Sequence, residues 1–169
     1  MPTPNDSIKE LILQDVETTL AAINGPTATY FRTVNAVERY TLKTKSTGEV
    51  TTNSFLVLPL IVIQAMEDEP LENQPGTLTE RLMTIRLFLY ISHDDAGDDA
   101  SKSSDQILNE FQHDIEVAIM ADHTLGGNAL ATHVGPTIPF DTIEDDVPLI
   151  GIIIDLIVQY RHNYQDPSN

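Results

Sequence analysis

Two long apolar segments close the chain, and they constrain its fold more than any other feature. In the second, Ile150, Ile152, Ile154, Leu156, Val158 and Tyr160 occupy alternate positions, while Gly151, Asp155, Gln159 and Arg161 share the intervening ones with Ile153 and Ile157. Strict period-two alternation over this length predicts a strand with one face in the core and the other half wet. The acidic stretch Asp141 to Asp146 reads as the turn from a preceding strand, and an amphipathic helix ending at Gly126-Gly127 comes before both. A long paired sheet needs something to cover its apolar face, so the rest of the chain must supply that cover.

Upstream, Ile8, Leu11, Ile12, Val16, Leu20 and Ile23 recur at helical spacing behind Ser7 and Glu10, a capping-box pair, and Gly25-Pro26 stops the helix. Thr29 to Thr33 and Val37 to Lys43 read as short strands, and Lys45 to Ser54 as a polar loop. Leu60 to Gln64, apolar on both faces behind Pro59, reads as a buried strand. Leu82 to Ser92 alternates, with Met83, Ile85, Leu87, Leu89 and Ile91 on one face and Thr84, Arg86, Phe88 and Tyr90 on the other. Phe88 and Tyr90 are read by default as ordinary packing under a helix, with a subunit contact as the alternative. A second helix spans about Asp105 to Asp122 with Ile107, Leu108, Phe111, Ile115, Ala118 and Ile119 as its stripe. The segments Met66 to Glu80 and His93 to Ser103 are polar and irregular, and are predicted to project as loops. Strands bounded by two separate helices, without strand-helix alternation, predict an α+β fold: a mainly antiparallel sheet with two principal helices on one face. At 169 residues the chain is predicted to form a single domain over positions 1–169.

Charge narrows the function. Nine Lys plus Arg against 26 Asp plus Glu give a formal charge of −17, a field that repels nucleic-acid phosphates. The same field drives copies of the chain apart, so self-assembly must rest on specific contacts and should gain from salt. With no cysteine there is no disulfide framework, thiolate zinc site or thiol nucleophile. Met1 to Asp6 lack a secretory pattern, and the apolar run Phe55 to Ile63 is too short to span a bilayer, which predicts a soluble cytoplasmic product with no membrane partner.

Chemistry-bearing motifs are sparse. Asp94, Asp95, Asp98 and Asp99 surround Gly97 but lack the alternate spacing of a calcium loop, and read as a solvated loop. His113 and Asp114 are adjacent on the second helix, so their side chains diverge by about 100°; both read as surface residues. His123 and His133 lack a third zinc ligand. Gly126-Gly127 follows a helix and carries no Lys-Ser or Lys-Thr, so it reads as a C-terminal turn and not a phosphate loop. No Gly-x-Ser-x-Gly elbow is present. These readings predict a non-enzymatic interaction protein without metal or cofactor.

The helix ending Ala-Ala-Ile-Asn-Gly, the strand Leu60 to Gln64, the loop Met66 to Glu80, the strand RLMTIRLFLYI, the segment ADHTLGGNALATHV and the closing PLIGIIIDLIVQYRHNYQDP together resemble the tail terminator proteins of long-tailed bacteriophages. Thr124 to Gly127 and Val158 to Pro167 carry the likeness most closely, and it covers nearly the whole chain. What the resemblance implies is a virion subunit, assembled in the host cytoplasm, that forms a hexameric ring on the head-proximal end of the tail tube. Such a ring halts tube polymerisation, meets the tube protein and the head completion (neck) protein, and in contractile tails meets the sheath. DNA would pass its lumen without specific binding. On that reading the projecting loops supply partner contacts through Glu67, Asp68, Glu69, Glu72, Asn73, Asp94, Asp95, Asp98 and Asp99. The alternatives are another head-tail connector or tube component, or a small metal-dependent hydrolase using Asp94, Asp95 or His113.

Overall fold

A computed structural model describes residues 7–40, 43–44, 50–51, 57–71, 78–92, 102–144 and 147–163. Two helices, α1 (Ile8–Ala21) and α2 (Ser104–Ala121), accompany seven strands: β1 (Ala36–Arg39), β2 (Lys43–Thr44), β3 (Val50–Thr51), β4 (Leu60–Pro70), β5 (Leu78–Ser92), β6 (Ala131–Glu144) and β7 (Val147–Asn163). The main sheet has the order β1-β4-β5-β7-β6, with β2 and β3 paired separately. Among the described strands only β1 with β4 is parallel; every other described pair is antiparallel. The fold is α+β, as the order of elements predicts. Among the described residues no helix is long and apolar enough to cross a membrane.

Alternation sorts the sheet into two faces. Ile61 and Ile63, then Met83, Ile85, Leu87, Leu89 and Ile91, then Ile152, Ile154, Leu156 and Val158 all point to the helix side and are buried. Ile12, Val16 and Leu20 of α1 and Ile107, Phe111, Ile115 and Ile119 of α2 join them in one core. Helix α1 lies over β1 and β4, α2 over β7 and β6, and the helices touch each other. Burying side chains of this size contributes roughly 1.5–3 kcal/mol each, which is what holds helices of modest propensity on the sheet.

Local chemistry sets the element ends. Ser7 caps α1 by accepting from the Glu10 amide at 3.2 Å, but the Glu10 carboxylate does not return the bond. It accepts instead from Arg39 at 2.7 and 2.9 Å, because a charge-assisted bond outcompetes a neutral backbone donor. The complete capping box belongs to α2, where Ser103 and Gln106 exchange both bonds. After α2, Leu125, Gly126 and Gly127 all have positive φ, and Asp122 accepts from Thr124 and Gly126 to hold the turn. Asn128 then donates to Asp15 at 2.7 Å, tying this turn to α1.

Four sequence-based expectations change, the first being the polar loop Lys45 to Ser54, within which Val50 and Thr51 form β3 against Lys43 and Thr44. Thr29 to Thr33 form no strand, only a bridge between Asn24 and Thr33. The Thr27 hydroxyl takes the amides of Thr29 and Tyr30, and the Asp114 carboxylate takes those of Phe31 and Arg32, so side chains occupy donors that a sheet would need. Met66 to Pro70 and Leu78 to Glu80 are not loop: β4 and β5 keep pairing as far as Pro70 with Arg81, past a bulge between Ala65 and Asp68. The acidic turn shrinks likewise, since β6 runs through Glu144. Acidic composition masked the extended backbone in both places.

Candidate functional site

Of the residues expected to meet partners, the structure describes three. Glu67 and Glu69 lie exposed on β4. Asp68 does not project: the bulge turns it toward the helix side, where it accepts from Arg81 Nε at 2.8 Å and from the Tyr160 hydroxyl at 3.0 and 3.1 Å, with Lys9 at 3.5 Å. Burial alone would raise the Asp68 carboxyl, but the hydrogen bonds from Arg81 and Tyr160 and the charges of Arg81 and Lys9 outweigh it and hold it below the usual carboxylate range. Burial, and the bond to Asp68, push the Tyr160 hydroxyl up to about 12. Asp68 is thus an internal anchor joining α1, β4, β5 and β7. Glu72, Asn73, Asp94, Asp95, Asp98 and Asp99 lie outside the described residues, as does 93–101 of the second expected loop; its end, Ser103, caps α2.

The sheet face away from the helices has a different character. Cross-strand register sets it out in rows: Leu60, Tyr90, Gly151 and Phe140; Val62, Phe88, Ile153 and Ile138; Gln64, Arg86 and Asp155; Thr84, Ile157 and His133. Phe140 meets Tyr90 edge-on at 5.4 Å, and Tyr90 stacks with Phe88 at 6.5 Å. Gly151 makes room for the Phe140 ring: a Cβ there would stand 2.6 Å from Cζ of Phe140 and 2.0 Å from the Leu89 carbonyl oxygen. Below the aromatics, Arg86 binds Asp155 through two bonds of 2.7 and 2.8 Å, and this pairing is the main cause of a lowered Asp155 carboxyl. Farther along, Arg161 pairs with Glu80.

Both helices pack on the opposite side, so Phe88 and Tyr90 are not helix-covered core. They are half-buried, as are Phe140, Ile153 and Ile157, and Ile138 is 55% exposed. The alternation of β5 and β7 made half of this face legible; β6 was expected as a strand before the acidic turn, but Gly135, Pro136 and Pro139 break its alternation and hid which face Ile138 and Phe140 take. Those prolines are tolerated there because β6 borders only β7, and an edge strand can spare donors on its open side.

Elsewhere the chemistry-bearing groups are engaged structurally. Asp114 is fully buried, contrary to its surface reading, and its oxygens accept the Phe31 and Arg32 amides at 2.9 and 2.7 Å. His113 is exposed beside the Phe31 ring at 5.3 Å. A cavity of about 270 Å³ between residues 32–35, Pro59 and α2 has its polar wall committed, with Arg32 on Glu110 and Asn35 on the Leu58 carbonyl. Among the described residues no group of three or more His, Asp or Glu is placed to hold a metal ion. The sequence matches no protein-family model, and no curated protein matches it.

Proposed function

We propose that the chain is a structural subunit of a phage tail, a ring-forming cap that ends tube growth at the head-proximal end and joins the tail to the head. The observation that supports an assembling subunit is the one-sided sheet: helices cover one face, while the other keeps half-buried aromatic and aliphatic side chains in rows across β5, β7 and β6. Contiguous apolar patches of this kind mark contacts with other chains or ligand grooves, and aromatic side chains are enriched where chains meet. The tail-cap part of the reading rests on the sequence resemblance, with which an α+β subunit of two helices on one sheet face is consistent. In the cap, DNA slides through an acidic lumen without adhering, because like charges repel.

The test is tube capping. Tube protein polymerised with the purified chain should give tubes of limited length bearing a ring at one end in electron micrographs. Tubes that grow unchanged, with no density added at either end, sink the cap reading. Open tubes built from the chain itself would instead identify a tube subunit.

A further inference from the structure

We infer that the outer sheet face, centred on Phe88, Phe140, Ile138 and Ile153, is the surface on which a second copy of this chain docks. The inference deepens the ring reading and rests on it for its choice of occupant. The charge pattern is the main argument. The chain carries −17 overall, yet across β5, β7 and β6 the described charged side chains of this face cancel, Arg86 against Asp155 and Arg161 against Glu80. Two equally acidic copies repel wherever their acidic surfaces approach, so the contact of lowest electrostatic cost is a neutral one. A basic partner would find no attraction here and would be drawn to the acidic surfaces instead.

Size agrees. Three strands about 4.8 Å apart, by eleven residues of β7 at about 3.3 Å each, give roughly 500 Å² per copy, or about 1,000 Å² in all. That is about the minimum that a specific interface clears. Ordered composition points the same way: aromatic and branched aliphatic side chains at the centre, ion pairs toward one end. In a ring the contact is head-to-tail, so this face of one copy meets a different surface of the next.

The experiment is light scattering of the wild type and of an Ile138→Thr/Ile153→Thr variant across concentration, each free and with tail tubes. Threonine keeps the β-branched preference for strand while removing apolar surface. Wild-type mass should be a multiple of 18.7 kDa, and the variant should need at least about tenfold more protein to assemble, with its circular dichroism unchanged. Met120→Gln, at an exposed position on α2, should assemble like wild type. If the double variant loses its fold, Ile138→Thr alone, at the open edge, carries the test. A folded variant that assembles like wild type overturns the face assignment and leaves the ring reading standing. Wild type that stays at 18.7 kDa both free and with tubes overturns it too. Assembly that depends on this face but never caps tubes upholds the inference and sinks the tail reading.

Discussion

At the scale of single residues, Asp68 shows how a side chain changes meaning with one bulge. Read from sequence it belongs to a projecting acidic run; folded, it is the acceptor for Arg81, Tyr160 and Lys9. The consequence for pH follows from the shifts. The Asp68 carboxyl is lowered, so its stabilisation is complete above the ordinary carboxylate value of 3.8 and is lost as pH falls through and below it. The Tyr160 hydroxyl is raised, so its stabilisation is complete below 10.0 and is lost as pH climbs through about 12. Absorbance titration of tyrosinate should therefore show a late component near 12, and that component should vanish in Tyr160→Phe. The same variant should lose about 1.5–3 kcal/mol in urea unfolding, the order expected for a hydrogen bond to a charged group; a late component that persists would remove Tyr160 as its source. Asp114 carries the companion lesson. Nothing in His113-Asp114 announces that the carboxylate is buried, because its partners, the amides of Phe31 and Arg32, are more than eighty positions away.

Among elements, legibility tracked periodicity. Helix α2 and strands β5 and β7 bury the faces their spacing predicts, because a long apolar repeat leaves only one way to hide it. The strand expected at residues 29–33 failed because polar side chains take its backbone donors, whereas β6 is the strand expected before the acidic turn, and only its facing was hidden, by prolines that an edge strand tolerates. The capping of α2 was within reach of the sequence, since Ser103 and Gln106 have the required spacing, but Asp105 marked the start instead. Ser103→Ala removes the oxygen that accepts the Gln106 amide and should cost about 1 kcal/mol. Thermal unfolding checks this: the midpoint should fall, whereas an unchanged midpoint would mean that water replaces the cap. The face that matters for assembly was half legible, through β5 and β7, and the other half needed the β6-β7 register.

For the whole molecule, the balance lies between a large negative charge and one neutral apolar face. Raising ionic strength from 0.01 to 0.15 M shortens the screening length from about 30 to about 8 Å, which quiets repulsion between copies while leaving apolar contact intact. The assembled fraction in light scattering should rise over that range; a fall would mean that ion pairs between copies, not buried apolar surface, hold them. The sheet order carries one more consequence. Strand β7 alone joins β6 to β5, and it is the last of the strands along the chain. While the protein is being synthesised, the chain up to residue 144 leaves β6 without its strand partner and β5 with one edge unpaired. The sheet closes only when residues 147–163 have emerged and slid between them, so the nascent chain is most vulnerable to chaperone capture or misassociation just before its final strand is made.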